Sequence, residues 1–83
     1  MVIVIKNQKI KQDISIGANL QKLRKRAGLT QEQMAAKLQV EGIDMSRNFY
    51  AQIETGTYNI RISELSAMRK ILKVTYDEIF GVL

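Results

Sequence analysis

From Ile16 onward the sequence repeats one pattern, a short helical segment bounded by residues that cap helices. Apolar residues recur at helical spacing from Ile16 to Leu23, and Gly28 follows as a stop signal. Thr30, with Gln33 three residues later, predicts a capping box at the start of a second helix. A chain of this kind folds by packing several short helices around one core.

Three further helices follow in the same way. Ser46 is a preferred N-cap for a third helix that ends before Gly56, Ile62 and Ser63 begin a fourth, and Thr75 caps a short fifth. Gly42 is the expected turn residue between the second and third helices. The apolar stripes predict a core that includes the following residues: Ile16, Leu20, Leu23, Ala27, Met34, Ala35, Leu38, Phe49, Tyr50, Ile53, Leu65, Met68, Ile71 and Leu72. The fifth helix carries Tyr76, Ile79 and Phe80.

The predicted fold is a compact all-α domain of five helices over residues 15–83, preceded by an arm over residues 1–14. The arm contains the β-branched run Val2 to Ile5, which favours a short strand or an extended segment. With 83 residues there is room for one small domain and not for a second.

The composition excludes several classes of protein. The chain has no cysteine and no histidine, so disulfide scaffolds and thiolate or imidazole metal sites are ruled out. Its longest apolar run, Val2 to Ile5, is too short for a membrane span or a signal peptide. The carboxylates are scattered and no nucleophile–base set is apparent. We expect a cytoplasmic protein of bacterial or phage origin that is not an enzyme and needs no cofactor or metal.

The positive charge is concentrated in the first third of the chain. Residues 1–31 contain seven cations and one acid, whereas residues 32–83 contain six cations and seven acids. Such an imbalance favours a polyanionic partner, nucleic acid before a membrane surface. A lysine-rich face that is simply solvated is the alternative reading.

The predicted third helix, residues 46–54, has two different faces. Phe49, Tyr50 and Ile53 fall on the side expected to face the core. The opposite arc bears side chains of the type that contact base edges in the major groove, with a guanidinium, two amides and a small methyl group: Arg47, Asn48, Ala51 and Gln52. An ordinary solvated helix surface would explain the same pattern.

Glu54 lies in the last turn of this helix, where a carboxylate opposes the helix dipole and usually needs a nearby cation. Arg24 on the first helix is the candidate partner. The alternative is a solvated glutamate.

Several motifs together resemble one family. They are Gly28-Leu29-Thr30-Gln31, then Met34-Ala35, then Ile53-Glu54-Thr55-Gly56, within a stretch from Ile16 to about Phe80. In this stretch the chain closely resembles the helix-turn-helix domains of the Cro and lambda-repressor type. The resemblance implies a DNA-binding domain whose recognition helix is the third helix.

The resemblance also assigns roles to individual residues. Gln31 matches a glutamine that bonds a DNA phosphate and braces the recognition helix, and Ala35 matches the small residue where the two motif helices cross. Arg24 and Glu54 match a buried structural ion pair. The resemblance places Arg47, Asn48 and Gln52 at base-contacting positions, and we expect the methyl group of Ala51 on the same arc to contact a base as well. The residues expected at phosphates are Gln31, Asn59, Arg61 and Lys22.

Three features depart from the usual family pattern. The connection from Leu38 to Ser46 is longer than the tight family turn, so the recognition helix is expected to dock at an unusual angle. Phe49 stands where a small polar residue is common, and either covers the enlarged turn or contacts DNA. The loop from Thr57 to Arg61 lacks the proline and extra lysines often found there.

The sequence therefore predicts a transcriptional regulator, expected to be a repressor, that reads specific double-stranded DNA in the major groove. Because one copy covers only a half-site, we expect a homodimer, formed through Val2 to Ile5 or through residues 80–83. The alternative is a protein-interaction module on the same fold, an antitoxin or a coactivator-like adaptor, whose partner is a toxin or the transcription machinery.

Overall fold

The computed structural model describes residues 16–81, and these form five helices without a strand. The predicted arm over residues 1–14 lies outside this range, as do the last two residues. The all-α prediction is confirmed, and the helix boundaries agree closely with the capping signals. The helices are α1 Ile16–Arg26, α2 Gln31–Val40, α3 Arg47–Thr55, α4 Ile62–Leu72 and α5 Tyr76–Phe80.

Caps fix most of these boundaries. The Thr30 hydroxyl accepts a hydrogen bond from the Gln33 N–H at 3.0 Å, and the Gln33 side chain accepts one from the Thr30 N–H at 2.9 Å, which completes the predicted capping box. Thr75 and Glu78 repeat this arrangement at α5. Gly28 follows α1 with φ +77°, a left-handed conformation that favours glycine.

The core lies where the five helices meet. α3 packs against both α1 and α2, while α1 also contacts α5 and α2 also contacts α4. Most of the predicted apolar stripes are buried, and Met45 and Val74 from the connections join them. The buried hydrophobic residues are Ile16, Leu20, Leu23, Met34, Ala35, Leu38, Met45, Tyr50, Ile53, Leu65, Met68, Leu72, Val74 and Ile79.

The predicted core was wrong or overstated at a few positions. Ala27 lies beyond the end of α1 and is exposed, because the helix stops at Arg26. Phe49 and Tyr76 keep 43% and 40% of their surface exposed; Phe49 packs against Tyr58, and Tyr76 packs against Phe80 and lies under the Arg69 guanidinium. Ile71 and Phe80 are half-buried at the edge of the core.

The contact between α1 and α3 depends on Gly17. A Cβ atom at this position would lie 2.4 Å from the Ile53 carbonyl oxygen and 2.5 Å from that of Glu54. These are backbone atoms, so a side chain at residue 17 would force the two helices apart. Gly17 therefore sets how closely α1 approaches the end of α3.

Within residues 16–81, no helix combines the length and the apolar character needed to cross a lipid bilayer.

Candidate nucleic-acid interface

The two sides of α3 lie as predicted except at Phe49, which was expected to face the core and is exposed. Tyr50, Ile53 and Glu54 are buried against α1 and α2. On the opposite side, the side chains predicted to contact bases face outward: Arg47, Asn48 and Gln52 are exposed, and Ala51 is half-buried. The helix thus presents hydrogen-bonding groups on a surface that the rest of residues 16–81 leaves open.

Both ends of α3 are held by local hydrogen bonds. The Ser46 hydroxyl accepts a hydrogen bond from the Phe49 N–H at 3.1 Å, as expected of an N-cap. At the other end Gly56 adopts a left-handed conformation with φ +83°, and the Thr57 N–H donates to the Gln52 carbonyl at 2.9 Å. The backbone that carries the outward side chains is therefore fixed at both termini.

The connection between α2 and α3 is long but anchored. It begins at Glu41 after α2 ends, and Gly42 turns the chain with φ +87°. The Gln39 Nε2 donates to the Met45 carbonyl at 2.9 Å, and the Met45 side chain is only 1% exposed. Because a buried side chain and a hydrogen bond tie the turn to the body, its extra length does not leave α3 loosely attached.

Arg24 and Glu54 form a buried ion pair between α1 and α3. Arg24 Nε lies 2.6 Å from Glu54 Oε2, and the Arg24 Nη2 donates to Oε1 at 3.2 Å, so the contact is bidentate. Arg24 also donates to the Leu29 carbonyl at 2.6 Å, which ties in the turn before α2. The pairing of these two residues was predicted from the sequence for two reasons. A carboxylate in the last turn of a helix needs a nearby cation, and the family resemblance implies a buried ion pair at these positions.

Gln31 adds a third member to this network. Its Nε2 donates to Glu54 Oε1 at 3.0 Å, so α1, α2 and α3 are joined at one carboxylate. Burial acts to raise the pKa of Glu54, but the Arg24 guanidinium, aided by the neighbouring Tyr50 hydroxyl and the Gln31 amide, outweighs it and holds that pKa below the ordinary value of 4.5. Glu54 is therefore ionised at neutral pH despite its burial.

The Tyr50 hydroxyl is buried beside this network. Within residues 16–81 it has no hydrogen-bond partner of normal geometry. Burial raises the pKa of Tyr50 well above its ordinary value, so the phenol stays neutral.

The predicted phosphate-contacting residues are not all near one another. Gln31 is the first residue of α2 and half-buried, while Asn59 and Arg61 are exposed in the loop after α3. Lys22 lies on the α1 stripe shared by Asn19 and Arg26, and both of these contact α5. The structure thus places Lys22 on a different face of α1 from Arg24, which contacts α3.

Two features of this region were not predicted from the sequence. Phe49 packs against Tyr58 with ring centroids 4.7 Å apart, a contact that the sequence pattern did not predict. Glu64 is buried and accepts hydrogen bonds from the Arg61 N–H at 2.9 Å and the Tyr58 hydroxyl at 3.3 Å. A glutamate three residues into a helix is a known capping signal and would have indicated the first of these contacts.

Two helices joined by a turn, with the second turned outward and polar, define the helix-turn-helix class of DNA-binding domain. A helix-turn-helix family model matches residues 20–79 of this chain. The chain belongs to that family, in its Cro and C1 type, as the sequence motifs indicated.

Two individual proteins are similar to this chain. Control protein C.MunI of a Mycoplasma species is 37% identical over 69 residues, which cover 82% of this chain and 86% of that protein. The crystal structure of the restriction-modification controller protein C.AhdI from Aeromonas hydrophila superposes with a TM-score of 0.70. It covers 81% of this chain and 90% of its own at 24% identity, and so supports the fold.

These findings confirm the main functional prediction. The chain is a sequence-specific DNA-binding transcriptional regulator. The family is one of DNA-binding regulators and not of enzymes.

Proposed function

We propose that this chain is a controller protein of a restriction-modification system that binds its operator as a homodimer and represses transcription. The names of the two similar proteins support this specific role, since one is a control protein and the other a restriction-modification controller. Repression follows from occupancy, because a protein bound across a promoter denies that DNA to the transcription machinery. A partner toxin forms no part of this proposal. The proposed function implies that the protein is cytoplasmic, because the DNA that it would bind lies in the cytoplasm.

The outward face of α3 is the observation that carries the proposal. In this role α3 enters the major groove while α2 lies across the backbone. Arg47 is suited to guanine, and Asn48 and Gln52 to adenine, because each side chain offers two hydrogen-bonding groups in one plane. The methyl group of Ala51 is small enough to let the helix approach the bases.

Phosphate contacts would fix the register of α3 on the duplex. Glu54 accepts a hydrogen bond from one N–H of the Gln31 amide group, which leaves the second N–H free for a phosphate oxygen. Gln31 also stands at the N-terminus of α2, where the helix dipole favours an anion. Asn59 and Arg61 would reach the backbone on the other side of α3, and Lys22 would contribute less because of its position toward α5.

A homodimer is proposed because one outward helix covers one half-site, and two copies spaced by a helical turn or its multiples bind far more tightly. Of the two dimerisation segments predicted from the sequence, the first lies outside residues 16–81. The second includes Phe80, which stacks on Tyr76 with centroids 6.4 Å apart at the surface of α5. Sedimentation of the chain with and without operator DNA tests the stoichiometry.

Selection of bound duplexes from a random pool is the experiment that tests the whole proposal. We expect a recovered sequence of two related half-sites. Arg47→Ala and Gln52→Ala should then each weaken binding to that sequence by about 1–3 kcal/mol and relax preference at one base pair. Lys37→Ala is the control, since Lys37 is exposed near the end of α2, one turn before Glu41, whose side chain pairs with Lys70 of α4. Parental affinity in both test variants contradicts the base-reading assignment.

A further inference from the structure

Phe49 is an aromatic residue exposed on the DNA-binding helix. It keeps 43% of its surface exposed, although aromatic side chains usually contribute most when they are buried. It lies one turn before Gln52 and is its neighbour at the edge of the outward face, because residues three apart on a helix are about 60° apart around its axis. The phenyl ring therefore borders the surface that reads bases.

The ring is also held in place. Tyr58 packs against it at 4.7 Å with an interplanar angle of 45°. The Tyr58 hydroxyl donates to Glu64 Oε2 at 3.3 Å, and Glu64 is itself only 7% exposed. Because Glu64 fixes Tyr58 and Tyr58 packs against Phe49, the phenyl ring is ordered before DNA binds. This order lowers the entropic cost of a contact with DNA.

We propose that Phe49 reads the C5 methyl group of a pyrimidine, in the base pair next to the one contacted by Gln52. In unmodified DNA this methyl belongs to thymine, and it is the apolar group that the major groove offers to a phenyl ring. The proposal rests on the DNA-reading role of α3. Ala51 does not duplicate the contact, because residues two apart on a helix point to different sides.

The experiment uses the duplex recovered by selection, with each thymine replaced in turn by deoxyuridine, which lacks the methyl group. One replacement should lower the affinity of the parental protein for the duplex by about fourfold, the effect of losing one buried methyl-sized group. Phe49→Ser should bind the thymine and uracil duplexes equally, while Phe49→Leu should keep most of the difference. Val40→Ser is the matched control, because it removes an exposed apolar side chain from the end of α2, and it should leave the sensitivity at that position unchanged.

A second arm separates the methyl group from the rest of the base. At the sensitive position a C·G pair is tested with and without a 5-methyl group on cytosine. The parental protein should bind the methylated duplex more tightly than the unmethylated one. Phe49→Ser should bind the two duplexes equally. If Phe49→Ser does not fold, a photochemical crosslink from 5-iodouracil at the sensitive position tests the contact in the parental protein. Light should crosslink the 5-iodouracil to the peptide that contains Phe49.

The outcomes separate this proposal from the broader one. A failed selection contradicts sequence-specific DNA binding and the methyl contact with it. If the selection succeeds, three results would contradict the methyl contact and leave sequence-specific DNA binding intact. These are equal binding of every uracil duplex by the parental protein, uracil sensitivity that survives in Phe49→Ser, and a crosslink on another segment.

Discussion

Glu54 is a carboxylate in the last turn of α3, where the helix dipole disfavours negative charge and burial adds a desolvation cost. Arg24 and Gln31 offset both effects through hydrogen bonds of 2.6–3.2 Å. Because these partners come from α1 and α2, one side chain joins all three elements of the DNA-binding unit. Its role is to position α3, since it does not face the outward surface.

Glu54→Ala should lower the free energy of unfolding by about 3–5 kcal/mol, because it leaves the Arg24 guanidinium buried without its counterion. Urea denaturation followed by circular dichroism measures this change. Gln52→Ala on the exposed side of the same helix is the control and should change stability by much less. An unchanged denaturation midpoint for Glu54→Ala would refute the structural role of the pair.

The lowered pKa of Glu54 predicts a specific dependence of stability on pH. A carboxyl with a lower pKa in the folded than in the unfolded state stabilises the fold fully above its unfolded value near 4.5. This contribution is lost as the pH falls through the folded pKa. The difference in unfolding free energy between the parent and Glu54→Gln should therefore be constant above about pH 5 and shrink below it.

Glu78→Gln serves as the comparison in this pH series, since the carboxyl of Glu78 caps α5 near the surface. Its pKa is also lowered, chiefly by a hydrogen bond from the Thr75 backbone. Denaturation at a series of pH values from 3 to 7 gives all three curves. A parent-to-Glu54→Gln difference that does not vary with pH is incompatible with the assigned shift.

At the scale of helices, the close approach of α1 to α3 gives a further prediction. Gly17→Ala should lower the free energy of unfolding by about 1–3 kcal/mol, because its Cβ collides with the backbone carbonyls of Ile53 and Glu54. It should also weaken operator binding, since α3 must shift. Ala18→Ser on the adjacent, half-buried position is the control. Parental stability and affinity in Gly17→Ala would mean that the two helices do not pack so closely.

The helix boundaries were predictable because capping is local. Thr30, Ser46, Gly56 and Thr75 each act on residues within one turn, so their effects can be read from neighbouring letters. The stripes that form the core follow in the same way from helical spacing.

The remaining contacts depend on residues far apart in the chain. The helical wheel placed Phe49 on the core side of α3, but the packing of residues 16–81 leaves 43% of its surface exposed. The bond from Gln31 to Glu54 and the fit of Gly17 against α3 exist only once α1, α2 and α3 have docked. An isolated glycine within a helical pattern is the signal that would have drawn attention to residue 17.

At the scale of the whole molecule, the ion pairs leave the outward face of α3 free for a polyanion. Among residues 16–81 the pairs engage Arg24, Arg26 and Lys70, with nitrogen–oxygen distances of 2.6 to 3.1 Å. Arg47 and Arg61 take no part in them. Affinity for DNA should therefore depend strongly on salt through unpaired cations near α3.

Arg61→Ala should weaken binding to all DNA sequences alike and reduce the slope of log K against log salt concentration by about 1, the change expected for one lost phosphate contact. Arg26→Ala removes the same charge but from a side chain that pairs with Glu78 near α5, and should leave the slope unchanged. Fluorescence anisotropy at several salt concentrations measures both slopes. Equal slopes for the parent and Arg61→Ala would exclude this phosphate contact.

The separation of the two sides of α3 has a consequence for how such a regulator changes over time. Tyr50, Ile53 and Glu54 hold the helix in the domain, while the side chains of Arg47, Asn48 and Gln52 bond to no other part of residues 16–81. If these three side chains read the bases as we propose, substitutions there redirect the protein to a new operator with little loss of folding stability. Divergence of binding preference among homologous regulators should accordingly concentrate there, and transplanting the three side chains should transfer preference between scaffolds.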